Sequence, residues 1–386
     1  MFSKEVQDRI RDEFSSLGDV VFLSASFTTM PPRCVQDVLP AYTRKYLATL
    51  SNEEWEKWTG EEHAVCRREI AGLLGCDEDE IALTKNTTEG IGIIASGYPW
   101  TPGKNIVLPQ AEHAASLHSW IPLTEKGIEL RPVIPADPAH GITADEIIAA
   151  TDENTEAVLT SIIQFWDGAF IDMEKLGRYC RDKGILLVVD AIQAVGRMKV
   201  DVRKWNIDFL ACGGHKGLLS MDCSGGILYC RRGLEKKITP PYNGMDGTTK
   251  RSHIEEPGGC VLHYREGARK LEGGSSNTLG AMMFAEACRF IDSIGIAEIE
   301  AHILGLEDIL LEKLGDLRQI RVAGDKRSGI VMLDFAPEER ERVIGILNRY
   351  KINATVRADN VRFCISMVNR EEHMDILAKA IEEIRN

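Results

Sequence analysis

From Ile81 onward, short apolar runs alternate with amphipathic stretches, and this alternation restricts the fold more than any other feature of the sequence. The runs 81–84, 105–108, 128–133, 157–162, 185–189 and 207–212 are rich in Ile, Leu and Val and read as strands. Helical spacing begins at Thr88, recurs near 112–126 and near 143–150, and covers 172–183. Such repetition builds βαβ units and a mostly parallel sheet. An open sheet of that kind binds ligands beyond the C-terminal ends of its strands.

Two further helices are expected over 5–17 and 53–75, with an extended lead-in at Val20–Ser26 between them. Past about residue 235 the pattern weakens. Residues 239–260, rich in Gly, Pro and Thr, read as an ordered surface loop. Helices over 279–294 and 297–315 follow, then a strand at 329–334, a helix at 337–350, a strand at 361–366 and a helix from Glu371. This second stretch reads as a small α/β lobe. The expected division is a large domain at 19–278 and a small one formed by 1–18 and 279–386.

A net charge of −13 and a pI near 5.3 argue against nucleic acid or an anionic membrane as partner. No apolar run is long enough to suggest a membrane span. The N-terminal stretch Met1–Val6 carries charges where a secretory signal would be apolar, so a cytoplasmic location is expected. The ten cysteines, at 34, 66, 76, 180, 212, 223, 230, 260, 288 and 364, form no CxxC pair and match no zinc spacing. They read as reduced thiols, and no metal site is expected.

The chemistry is carried by residues at strand ends. Asp190 closes the run 185–190, and Lys216 follows the run 207–212 within Gly214-His215-Lys216. An aspartate for a pyridinium nitrogen and a lysine for a Schiff base are the protein groups that pyridoxal 5'-phosphate (PLP) needs. Taken singly they also fit an ordinary surface lysine and a strand-end carboxylate. Asn86-Thr87-Thr88-Glu89-Gly90 opens a helix, where it reads either as an anion site or as plain N-capping by Thr87 or Thr88. His113 reads either as an imidazole that stacks on a planar cofactor and relays a proton or as a helix-start histidine. Gln193, three residues past Asp190, reads either as a donor to a ring hydroxyl or as a solvated turn residue.

Thr87-Thr88-Glu89-Gly90, Glu112-His113, Asp190-x-x-Gln193, Gly214-His215-Lys216 and Gly225–Tyr229 together resemble the class V aminotransferase family in order and spacing. The nearest branch is that of the cysteine desulfurases and selenocysteine lyases, and the resemblance runs from Phe22 to Glu372. It implies the α/β architecture of fold-type I PLP enzymes: a large domain with a mostly parallel seven-stranded sheet plus a smaller C-terminal α/β domain. It also implies a homodimer with shared active sites. Lys216 would form the Schiff base, Asp190 hold the pyridinium nitrogen, Gln193 the ring hydroxyl, and His113 stack over the ring. Thr88, the Thr87 backbone and His215 would hold the phosphate. Ser275, in the segment Arg269–Asn277, would reach the partner subunit's phosphate. Arg362 would clamp the α-carboxylate of a small amino-acid substrate.

The sequence departs from that pattern in three places. Gly213 stands where desulfurases often carry a phosphate-binding serine, and Gly217 replaces a bulky residue. Only four residues separate Arg357 from Arg362, so the loop that carries the desulfurase cysteine is missing. Cys364 shares a strand face with Arg362 but reads as a buried core residue. An aminotransferase is therefore the first expectation, a C–S or other β-lyase the alternative, and a desulfurase the third. A non-catalytic scaffold is disfavoured by the presence of both Lys216 and Asp190. A nucleotide-binding dehydrogenase is disfavoured because no G-x-G-x-x-G follows the first strand.

Overall fold

In the computed structural model, residues 1–221, 224–249, 262–315 and 319–385 are described. After a two-residue strand β1 (Val21–Phe22), the six apolar runs form β2 (Ile81–Thr84), β3 (Asn105–Pro109), β4 (Glu129–Val133), β5 (Thr155–Ser161), β6 (Leu186–Asp190) and β7 (Phe209–Gly213), and the motif at 225–229 adds β8 (Gly226–Cys230), which was not among the expected strands. These last seven make one sheet in the order β2-β8-β7-β6-β5-β3-β4, in which β8 alone runs against its neighbours. Strands buried on both faces need apolar residues at successive positions. Along β6, Leu187 and Val189 pack into one cluster with Leu176, Phe284 and Ile291, while Val188 packs into the other with Ile91, Ile94 and Trp120.

The C-terminal part forms β9 (Ile320–Arg321), β10 (Ile330–Asp334), β11 (Ile352–Asn353), β12 (Thr355–Val356) and β13 (Asn360–Cys364). Four of these make an antiparallel sheet in the order β12-β13-β10-β9. The strand β11 instead pairs parallel with β1. The N-terminal segment continues this stitching: Leu23 N–H donates to Asn353 O and Cys364 N–H donates to Leu23 O, both at 2.8 Å.

Most helices and strands fall within about two residues of their expected bounds; the stretch 112–126 does not. It holds one turn of helix, Ala114–Leu117, and a 3-10 segment, Ile121–Lys126. Pro122 has no N–H to continue a helix, and Gly127 closes the segment at a φ of +81°. Of the expected surface loop, residues 250–260 lie outside the described residues, as do Cys223 and Cys260. Among the described residues no helix is long and apolar enough to cross a membrane.

One buried ion pair ties the long helix Asn52–Leu74 to the sheet. Arg67 donates to both Glu272 oxygens, at 2.7 Å each from Nη2, and Glu272 also accepts from Leu83 N–H in β2 at 2.9 Å. Removing the cation strands a buried carboxylate. Arg67→Ala is expected to lose roughly 3 kcal/mol of stability, read as a lower urea midpoint. A midpoint equal to that of the parent protein would contradict the importance of the pair.

Candidate active site

The C-terminal ends of β2, β3, β5, β6 and β7 lie along one edge of the sheet, and the chain turns there deliver the candidate residues. Asp190 closes β6 and is 3% exposed. Its Oδ1 accepts from Ile192 N–H at 3.0 Å and its Oδ2 from Ser116 Oγ at 2.5 Å. Beyond β7, the turn Gly214–His215 brings in Lys216, 9% exposed. Burial pulls the Lys216 amine down to about 8; the Asp190 charge opposes that shift and the Arg362 charge adds to it.

The turn after Lys216 is packed backbone against backbone. A Cβ on Gly217 would meet Val195 O at 2.2 Å, and one on Gly196 would meet Gly217 O at 2.1 Å. A bulky residue at 217 is excluded for that reason. At Gly213, a Cβ would stand 3.3 Å from Thr87 Oγ1, so the hydroxyl of Thr87 lies beside the place a serine side chain would need.

Thr87 is buried, and its Oγ1 has no hydrogen-bond partner. Neither threonine caps the helix Thr87–Gly97; Asn86 does, with Oδ1 accepting from Glu89 N–H at 2.9 Å. The capping reading of Thr87 or Thr88 is thereby corrected: asparagine is at least as good an N-cap as threonine and stands one residue earlier. Thr88 is exposed and His215 half-buried. Gln193 donates through Nε2 to Ser26 O at 2.9 Å, while its Oε1 is buried without a partner. It is not a solvated turn residue.

His113 caps the turn Ala114–Leu117, its Nδ1 accepting from Ala115 N–H at 3.1 Å. This leaves Nε2 as the proton-bearing nitrogen of a neutral ring. Burial, then the Lys216 charge, lowers the affinity of His113 for a second proton. Its ring meets Phe165 edge-on, with centroids 4.7 Å apart. Arg362, on β13, is 3% exposed; its Nη1 donates to Phe165 O and its Nε has no partner. Burial pulls its guanidinium down to about 10.

His113 lies within electrostatic reach of Lys216, Asp190 and Arg362, and Lys216 within reach of Asp190 and Arg362. Ser275 does not join them within one chain: it borders a cavity with Lys85, Glu89, Tyr242 and Ser276 that none of those four lines. Cys364 is fully buried, with Sγ 4.0 Å from Ile365 O.

Several contributors carry no signal by residue type alone. Buried Glu112 accepts from Ser161 N–H and Ser161 Oγ at 2.6 Å and from Gln164 Nε2 at 2.7 Å. It thereby fixes the end of β5 and the segment leading to Phe165, and burial raises its carboxyl to about 6. Ser116, Phe165 and Arg357 join it. Only the adjacency of Glu112 to His113 pointed toward any of them.

The profile of the family "Aminotransferase class-V" matches residues 20–371. The chain belongs to the class-V aminotransferase family. A probable cysteine desulfurase of Methanothermobacter thermautotrophicus is 28% identical, covering 97% of each chain. A probable cysteine desulfurase of Pyrococcus abyssi is 27% identical over 99% of each. Among solved structures, cysteine desulfurase from Thermococcus onnurineus NA1 superposes with a TM-score of 0.87 at 24% identity, covering 100% of this chain and 99% of that one. C-DES, a cystine C–S lyase solved with cysteine persulfide, gives 0.84 at 20% identity, covering 95% and 98%. The fold is therefore the fold-type I architecture that the motifs implied, and the class-V enzyme uses PLP.

The residues present fit that cofactor. A buried carboxylate that makes no ion pair among the described residues, a buried amine, an orphaned hydroxyl at a helix N-terminus and an orphaned amide oxygen stand at one sheet edge. Unsatisfied buried polar atoms of this kind are costly unless a ligand completes them.

Proposed function

We propose that this class-V enzyme is a PLP-dependent lyase that removes a sulfur substituent from Cβ of a cysteine-type amino acid. The substrate RSCH2CH(NH3+)COO− and water give RSH, pyruvate and ammonium. The relatives named cysteine desulfurase, matched along nearly the whole chain, support sulfur chemistry over transamination. One observation carries the choice of lyase over desulfurase. β12 and β13 are joined by a tight turn in which Arg357 N–H donates to Asn360 O at 2.8 Å, leaving only Ala358 and Asp359 between them. Such a turn cannot present a nucleophilic cysteine. Of the described cysteines, only Cys34 and Cys76 are not fully buried, and burial pushes both thiols up to about 12.

When bound, PLP supplies an electron sink for the bonding pair released at Cα. Lys216 is the residue of attachment and, once displaced, the base for the Cα proton. Asp190, oriented by Ser116 and Ile192, holds a proton at the ring nitrogen. Gln193 has one amide N–H left for the ring hydroxyl. Thr87, Thr88, His215 and the first-turn N–H groups of the helix Thr87–Gly97 hold the phosphate, with Ser275 contributed by the partner copy of a homodimer. Arg362 receives the substrate α-carboxylate at its unpaired Nε. His113 would lie against the ring, with the proton on Nε2 available for transfer.

The test is incubation with S-substituted cysteines and no keto acid. Thiol and pyruvate should appear in equal amounts, with no persulfide on the protein. Turnover only when a keto acid is added would replace this reading with transamination. A protein-bound persulfide formed from free cysteine would replace it with desulfuration.

A further inference from the structure

The hairpin β12–β13 sets two arginines on one face. Thr355 pairs with Arg362, and Arg357 with Asn360. Side chains alternate along a strand, so Arg357 and Arg362 both project toward Phe165 and Trp166. Both donate to one carbonyl: Arg362 Nη1 and Arg357 Nη2, the latter at 3.1 Å, share Phe165 O. Arg357 Nη1 also donates to Trp166 O at 2.6 Å, and its guanidinium lies over the Trp166 ring, 4.3 Å from the centroid. Trp166 itself is 46% exposed, so this pair borders solvent.

These bonds use a minority of the N–H donors on the two side chains. No carboxylate among the described residues forms an ion pair with either arginine. Asp167 and Asp359 are near enough to favour charge on Arg357. Each is engaged elsewhere, Asp167 with Ala169 N–H at 2.9 Å and Asp359 with Asn360 Nδ2 at 2.8 Å. The third cation in reach of Arg357, Arg321, pairs with Asp334 at 2.6 Å. Around Arg362 the other cations in reach are Arg357, Arg197 and Lys216. Arg357 thus has unused N–H donors and no ion pair beside the guanidinium of Arg362, with which it shares Phe165 O, and a neutral donor would serve the carbonyls equally well.

Resting on the lyase reading above, we infer that the substrate carries a second anionic group at the end of its sulfur substituent and that Arg357 reads it. The substrate class is a thioether- or disulfide-linked amino acid whose distal end is a carboxylate. Arg362 takes the α-carboxylate; Arg357, held flat by Trp166, takes the distal one.

The test uses the holoenzyme and two compounds that lack an amino group and so do not react: 3-(carboxymethylthio)propionate and its distal monoamide, 3-(carbamoylmethylthio)propionate. They match in size and differ in the distal charge. By calorimetry the diacid should bind roughly tenfold tighter or more. Arg357→Gln should bring the ratio near one, and Arg357→Lys should keep part of the preference. A ratio near one in the parent enzyme, or a preference that survives Arg357→Gln, overturns the inference. The lyase reading is tested separately, by release of thioglycolate and pyruvate from S-carboxymethylcysteine. Its failure beside an intact diacid preference sinks that reading alone.

Discussion

Lys216→Ala should fold and lose turnover by on the order of 10⁴-fold or more, because it removes both the proposed point of cofactor attachment and the proposed base. Folding should survive because backbone contacts hold the turn. Gly214 N–H donates to Gly225 O at 3.1 Å, and Leu219 N–H donates to Lys216 O at 2.9 Å. The variant should show no borohydride-reducible link to PLP; a link that persists would refute the assignment. The parent protein offers a second readout. Only the neutral amine can attack the PLP aldehyde, and burial lowers Lys216 from the ordinary lysine value of 10.5 to about 8. Reloading of stripped protein should therefore quicken as pH rises to about 8 and then level off. A rate still climbing steeply well above that pH would mean that the amine is not depressed.

Asp190→Asn should leave stability nearly unchanged and reduce kcat by roughly 10³-fold. The amide oxygen can still accept from Ile192 N–H, and the amide nitrogen can donate to Ser116 Oγ, so the local bonds have replacements. What disappears is the charge proposed to keep a proton on the ring nitrogen. Thermal unfolding and steady-state rates measured on the same preparation separate the two effects. Near-parental turnover would remove Asp190 from the proposed mechanism.

The parts of this molecule that the sequence made legible are those encoded locally. Asp190 and Lys216 each follow a run of buried strand residues, and the position of a strand end depends on neighbours along the chain. The sheet was legible for the same reason, since its apolar runs are short and separated by helical spacing. Residues 112–126 misled because apolar spacing says nothing about the missing N–H of Pro122. Phe165 and Arg357 went unnoticed for a different reason. Phe165 acts through its backbone carbonyl, on an arginine 197 residues away, and a carbonyl leaves no mark in residue type. Glu112 stood in view beside His113, but its partners Ser161 and Gln164 lie 49 and 52 residues further on.

The segment from Phe22 to Thr29 has a consequence for how the protein is made. Phe22 O accepts from Asn369 Nδ2, 347 residues later in the chain. Leu23 bonds to Asn353 and Cys364; Ser26 O receives Gln193; Thr29 N–H donates to His215 O at 2.9 Å. A ribosome adding roughly 5–20 residues per second needs tens of seconds to supply those last partners. Throughout that interval the segment beside Lys216 lacks its C-terminal anchors. The nascent chain can complete its seven-stranded sheet, yet the turn that carries Lys216 gains its full support only when synthesis is almost over.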